Sequence, residues 1–180
     1  LYSHNADVDA MNEQELQGLQ TDEEVFFAKK SGNPKMMEAF VKSLIVQEKL
    51  VIKKGCKVMF LKNDHERGIM NGTLGLVVDF KNDPDEKGPY PLIQLMDKRK
   101  VLATPEIWSI NNEKGTPMVS FEQVPLRLAW AITVHKSQGS EYNHVCLILP
   151  AELENPDALL NVRIIYTAIT RAKNSVTIIG

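Results

Sequence analysis

The chain has 180 residues, of which 43% are apolar and 24% charged, with a formal net charge of −2. That is enough apolar material for one domain carrying a small insertion, and too little positive charge to coat a polyanion by bulk electrostatics. No stretch approaches the roughly twenty apolar residues of a membrane span and no basic-then-apolar leader is visible, so no membrane association and a cytoplasmic location are expected. Cys56 and Cys146 each lie inside an apolar run and read as buried, reduced thiols. No Cys/His cluster has zinc-ligand spacing, so no metal site is expected.

Taken in chain order, residues 1–3 read as the end of a strand, and Asn5 is placed to cap a helix over about 6–19 whose apolar stripe is Val8, Met11, Leu16 and Leu19. A polar stretch leads through Ser31-Gly-Asn-Pro34 into a second helix over about 35–43, lined by Met36, Met37, Phe40, Val41 and Leu44. From about residue 50 to 122 the pattern changes to short strands, over 57–61, 76–80, 91–95 and 100–103, with Asn71-Gly72 as a tight-turn signal and 83–89 as a loop. Such spacing predicts a small β-barrel or curled sheet inserted between two α/β segments. Pro125 then suits the first position of a helix over 126–137. A strand over 145–149, read as buried on both faces, a helix begun by Asn155-Pro156 and running to about Thr170 (apolar face Ala158, Leu159, Val162, Ile165 and Ile169), and a second buried strand over 175–179 complete the chain. Strand, helix, strand in that order implies a parallel sheet with ligands beyond the carboxyl ends of its strands and at adjacent helix or loop ends.

Two basic clusters, Lys53-Lys54 with Lys57 and Lys62, and Lys98-Arg99-Lys100, read equally as solvated edges or as nucleic-acid contacts. Acidic blocks at 22–24 and 83–86 balance them.

The chemistry concentrates in two motifs. In Thr133-Val-His-Lys-Ser-Gln-Gly-Ser-Glu141, the hydroxyls of Thr133 and Ser137 are four apart and would share one helical face toward a phosphodiester strand. Gly139 allows close backbone approach to a ligand, or serves with Gln138 as a helix C-cap. His135 suits either a backbone contact or a satisfied helix end, and Glu141 could accept a ribose hydroxyl. In Tyr166-Thr-Ala-Ile-Thr-Arg-Ala172, Arg171 stands at a helix C-terminus, where a cation is favourable for electrostatic reasons alone but where it could also stabilise a transferring phosphoryl group. Arg163 reads as a salt-bridge residue and Lys173 as a solvated helix-end cation. No Gly-x-x-x-x-Gly-Lys-[Ser/Thr] loop occurs, so a primary nucleotide cradle is expected elsewhere. The chain begins at Leu1 without methionine and reads as a segment of a larger protein.

The run from Val124 to Glu141 resembles a signature of superfamily 1 helicases of the RecD/Pif type, and Ile165 to Lys173 resembles their last helicase motif. Residues 1–12 resemble the opening of their second motor domain. Residues 55–63 with 71–75 are similar to the lead into their SH3-like insertion. The resemblance implies an α/β fold: a RecA-like parallel-sheet domain in two parts, 1–50 and 123–180, with a small SH3-like β-barrel inserted over 51–122. It implies ATP-dependent 5′–3′ movement on single-stranded DNA, in recombination, repair or replication. Thr133, His135, Lys136 and Ser137 would then lie along the DNA. Gln138, Gly139 and Glu141 would face the nucleotide, and Arg171 would be the catalytic arginine finger. His4 and Asn5 would approach the DNA backbone, although Asn5 serves equally as a helix cap. ATP and Mg2+ would be held mainly by the chain's own N-terminal RecA-like domain, without which this part is inactive. Relatives acting on RNA, or joined to exonuclease or relaxase functions, share these motifs. A non-catalytic nucleic-acid or peptide binding module is the reading from another class.

Overall fold

The computed structural model describes residues 1–2, 5–82, 88–138, 141–149 and 158–179. The chain forms two compact units, Leu1–Gln17 with Ala129–Gly180, and Gly18–Leu128. The second unit begins well before residue 51, because two strands in the stretch read as polar coil pair with partners later in the chain.

In the first unit, α1 (Asn5–Gly18) buries Val8 and Leu16. Its Asn12 is also buried, and the side-chain amide makes two bonds. Nδ2 donates to the Ala131 carbonyl at 3.1 Å, and Oδ1 accepts from the Ala131 N–H at 2.9 Å. The amide thus satisfies both backbone groups of a residue that has no strand partner, which burial demands.

The second unit is almost wholly β. Strands β1 (Glu23–Phe27) and β3 (Lys49–Lys53) pair antiparallel in a two-stranded sheet. Between them, β2 (Lys29–Gly32) pairs with a later strand, and α2 (Pro34–Ser43) starts where sequence predicts. Asn33 caps α2, its side chain accepting from the N–H groups of Lys35 and Met36, with Pro34 at the first helical position. Of the expected apolar face of α2, only Met37 is buried.

A five-stranded antiparallel sheet follows from β4 (Lys57–Phe60), β5 (Leu74–Asn82), β6 (Pro89–Leu95), β7 (Lys100–Leu102) and, much later, β10 (Leu126–Leu128). Its order is β10-β4-β5-β6-β7, which leaves β10 and β7 at the two edges. The turn between β4 and β5 forms where Asn71-Gly72 predicts. Thr73 N–H donates to the Met70 carbonyl at 2.9 Å, and Gly72 has φ +95°, the left-handed value that a side chain resists. Strands β8 (Glu106–Asn111) and β9 (Pro117–Gln123) form a third sheet with β2, in the order β2-β9-β8. Gln123, at the end of β9, is buried and directs its amide N–H groups at the carbonyls of Phe26, Gln47 and Glu48, at 3.1–3.2 Å.

The helix expected over 126–137 does not form. Residues 126–128 are β10, paired with β4 through Leu126–Phe60 and Leu128–Val58, and the only helical turn is a 3-10 turn at His135–Ser137. Leu126, Val58 and Phe60 are all buried, so packing against an available strand edge overrides a local helical pattern.

The first unit resumes with β11 (Tyr142–Ile148), α3 (Ala158–Ile169) and β12 (Ala172–Ile179). As expected, β11 and β12 are parallel, with Tyr142 opposite Ala172 and Ile148 opposite Ile179. Tyr2 extends this sheet, bridging in parallel to both Ile148 and Thr133. The core here is Val134, Leu147 and Ala168, with Leu1, Leu149 and Ile165 against it. The strands are not buried on both faces: Val145 and Leu147 are buried, but Cys146, Ile178 and Ile179 are exposed. The helix likewise buries Ala168 and leaves Val162 and Ile169, expected on its apolar face, at the surface. The cap expected at Asn155-Pro156 lies outside the described residues.

Cys56 and Cys146 are both free thiols, but only Cys56 is buried. Burial pushes the Cys56 thiol up, against the opposing effects of a hydrogen bond from the Lys53 N–H and the Lys53 charge. Native protein should therefore react with a thiol reagent at Cys146 only, the second equivalent appearing on denaturation. Replacing Asn12 by Ala should cost about 2 kcal/mol, since it orphans two buried backbone groups; urea unfolding measures it.

Candidate functional site

The 133–141 motif starts from a backbone rung. Tyr2 N–H donates to the Ile132 carbonyl and Val134 N–H donates to that of Tyr2, each at 3.0 Å. The 3-10 turn that follows folds Thr133 and Ser137 inward, at 4% and 0% exposure, and Ser137 Oγ donates to the Val134 carbonyl at 2.6 Å. The shared outward face expected for the two hydroxyls depended on an α-helix that is absent. The side chains that do reach solvent are His135 and Gln138, with Lys136 half-buried. Asn5 is the first residue of α1. His4 and Gly139 lie outside the described residues.

The second motif meets the first through strand register. Tyr142 N–H donates to the Arg171 carbonyl at 2.8 Å, so the residues preceding β11 and β12, Glu141 and Arg171, come side by side. They stand at the amino ends of the two strands, not at the carboxyl ends, because Glu141 lies in the loop entering β11 and Arg171 at the junction of α3 with β12. The Arg171 guanidinium turns back onto the last turn of α3. Nε donates to the Thr167 carbonyl at 3.2 Å and Nη2 to Thr170 Oγ1 at 3.1 Å. Carbonyls at a helix C-terminus favour such a cation.

Lys173, read from sequence as a solvated helix-end cation, is the second residue of β12. Its Nζ lies 2.8 Å from Glu141 Oε2, with both side chains more than half exposed. The Lys173 hydrogen bond, then its charge, and last the Arg171 charge hold the Glu141 carboxyl below its ordinary value. No periodicity links positions 141 and 173; only the parallel register does. The result is a surface cluster of two cations and one anion, in which a planar guanidinium suits a phosphoryl oxygen and a carboxylate suits a hydroxyl. Among the described residues no group of three or more His, Cys, Asp or Glu could hold a metal ion.

Much of the first basic cluster is consumed internally. Lys53 is buried beside Glu23, Lys54 lies 3.7 Å from Asp79, and Lys62 bonds Glu106 while lying over the Trp108 ring. In the second, Arg99 pairs with Asp97.

Two family profiles match the chain: the UvrD-like helicase C-terminal domain over residues 128–179, and the 2B domain of the DNA helicase Pif1 over 36–80. The sheet, the paired motifs and these matches define a superfamily 1 helicase domain. Within that superfamily the chain belongs to the Pif type. It is 33% identical over 184 aligned residues to an ATP-dependent DNA helicase Pif1 of Psychrobacter sp., an alignment covering 77% of this chain and 28% of that protein. The crystal structure of Pif1 helicase from Candida albicans superposes with a TM-score of 0.83 at 29% identity, over 99% of this chain and 44% of that one. A Bacteroides Pif1 in complex with ADP-AlF3 and single-stranded DNA shares the fold, with a TM-score of 0.72 at 23% identity over 100% of this chain and 39% of that one. The chain therefore spans less than half the length of these relatives.

Because the folded Glu141 carboxyl is held below its ordinary value, its pairing contributes fully above the ordinary carboxylate range and is lost progressively as pH falls through that range to the depressed value. Lys173→Ala should move the Glu141 titration up toward that of a free glutamate, followed by carboxyl-carbon NMR; an unchanged midpoint would contradict the assigned cause.

Proposed function

We propose that this chain is the second motor domain of an ATP-dependent DNA helicase moving 5′ to 3′ on single-stranded DNA. The observation that carries this reading is the hydrogen bond from the Tyr142 N–H to the Arg171 carbonyl, which sets a guanidinium and a carboxylate together at one end of the sheet. Arg171 is the arginine finger, a cation delivered to the phosphoryl oxygens as charge develops there, a role accounting for roughly 10³–10⁵ in rate. Glu141 accepts a ribose hydroxyl once released from Lys173, and Gln138 and Gly139 complete the nucleotide side. The described residues fit the phosphoryl and ribose parts of ATP but offer no carboxylate set for Mg2+. Mg2+ and the polyphosphate cradle belong to a companion RecA-like domain, the chain's main partner, and the chain by itself hydrolyses nothing.

DNA contact falls to the exposed His135, to Lys136, to His4 and to Asn5, the first residue of α1. Thr133 and Ser137 act differently: their inward hydroxyls shape the turn that presents His135 and Lys136. The relative solved with ADP-AlF3 and single-stranded DNA supports both ligand classes for this fold. The β-rich unit corresponds to the SH3-like insertion of the family, its five-stranded antiparallel sheet being the element to compare. Action in recombination, repair or replication follows from the same reading.

The test is ATP hydrolysis stimulated by single-stranded DNA in the longer protein carrying this chain. Arg171→Ala should lower turnover by about 10³-fold or more while DNA affinity is kept. Equal turnover in both proteins would remove the finger assignment, and stimulation by RNA alone would move the substrate class.

A further inference from the structure

We propose that the β-rich unit carries a peptide-docking site: the outer edge of β1 accepts an extended segment of a partner polypeptide as an added strand. This inference is independent of the motor reading. It rests on a cleft of about 370 Å³ within the second unit. One wall is made by Glu24, Val25, Phe26 and Phe27, consecutive residues of a single strand. Side chains alternate between the faces of a strand, so a wall of successive residues is the strand's edge and not one of its faces.

That edge lacks a strand. Among the described residues β1 pairs with β3 alone. The direction of its peptide groups follows from the neighbouring bond, in which Ala28 N–H donates to the Glu48 carbonyl at 2.8 Å. In an antiparallel pair, hydrogen-bonded positions recur at every second residue, so Phe26 and Glu24 face β3. Val25 and Phe27 therefore direct their N–H and C=O groups outward, along the cleft. An unpaired edge of this kind is a template for another strand, and natural sheets normally blunt or cover it.

The opposite wall is apolar and ring-rich. Pro89, Tyr90, Pro105 and Val124 line it, and Tyr90 stacks on Phe26 with centroids 6.3 Å apart and rings inclined by 24°. Phe27, 70% exposed, gives the edge a further apolar surface. The charges at the rim select the occupant's sign. Lys29 is engaged by Glu122 at 2.6 Å and Glu23 by Lys53 at 3.4 Å, whereas Glu24 makes no ion pair among the described residues. The chemistry fits an extended segment with apolar residues at alternate positions and at least one cationic residue, bound by main-chain pairing with apolar side chains in the cleft.

The probe is a labelled peptide, acetyl-Arg-Val-Thr-Val-Thr-Val-amide, titrated into the 180-residue chain and read by fluorescence anisotropy and by hydrogen exchange of the Val25 and Phe27 amides. Binding should slow exchange at both amides. Val25→Pro removes an outward N–H without touching the β3 ladder, so it should weaken binding at least tenfold with unchanged circular dichroism. Glu24→Lys should weaken this peptide but not its Arg→Thr analogue. A peptide methylated at alternate backbone nitrogens should fail to bind. The proposal is overturned by absence of peptide binding, by binding that survives Val25→Pro, or by equal binding of the methylated peptide. It is overturned as well if a single-stranded oligonucleotide displaces the peptide from that edge, or if sedimentation shows Val25→Pro abolishing self-association, which would make the occupant nucleic acid or a second copy.

Discussion

The two bonds between Asn12 and Ala131 join residues 119 positions apart. They are the constraint on which the first unit depends. The whole β-rich unit intervenes in sequence, and the returning chain must enter the sheet at the right residue for the 133–141 motif to begin where it does. A buried amide that pairs with both groups of one residue disfavours a shift by one position, which would turn the neighbouring residue's N–H and C=O away from it. From Ala131 the path is short: Ile132 and Val134 bracket Tyr2, and the 3-10 turn then sorts the motif into inward hydroxyls and an outward imidazole.

A second constraint, the parallel register of β11 and β12, assembles the charges. Parallel pairing brings the starts of two strands to one edge, so whatever precedes each strand becomes a neighbour. Here those residues are Glu141 and Arg171, with Lys173 two residues further along. An exposed Glu–Lys pair contributes little to stability. Its consequence is electrostatic and local: it occupies the carboxylate and keeps it ionised, beside a guanidinium already steadied by the helix terminus. Such a cluster, exposed to solvent, can be reorganised by an incoming polyanion at small cost.

The unit between the two halves follows a different logic. Its sheets are antiparallel, and its long-range pairings, such as β2 with β9 and β4 with β10, cross the unit in sequence. Gln123 is to this unit what Asn12 is to the other, one buried amide satisfying carbonyls from separate segments. Elements defined by their own residues were legible: α2 with its Asn33 cap and Pro34, the Gly72 turn, and the strands 57–60 and 89–95. Strands β1, β2, β8 and β9 were not, since short segments of mixed polarity become strands only when a partner edge exists. Residues 126–137 show the converse, a convincing helical pattern defeated by an edge offered by β4.

What the sequence by itself determined is the chemistry available and its family: the Thr133–Glu141 and Tyr166–Ala172 runs, a glycine where a turn needs positive φ, the absence of a phosphate loop, and a parallel strand–helix–strand unit at the end. What only the tertiary structure decided is which of those groups meet and which face water. Thr133 and Ser137 turned inward, Lys173 found Glu141, and the cluster formed at the amino ends of the strands. The physical reason is that side-chain direction and strand register are set by partners far away in sequence, through burial and through the obligation to pair every buried backbone group.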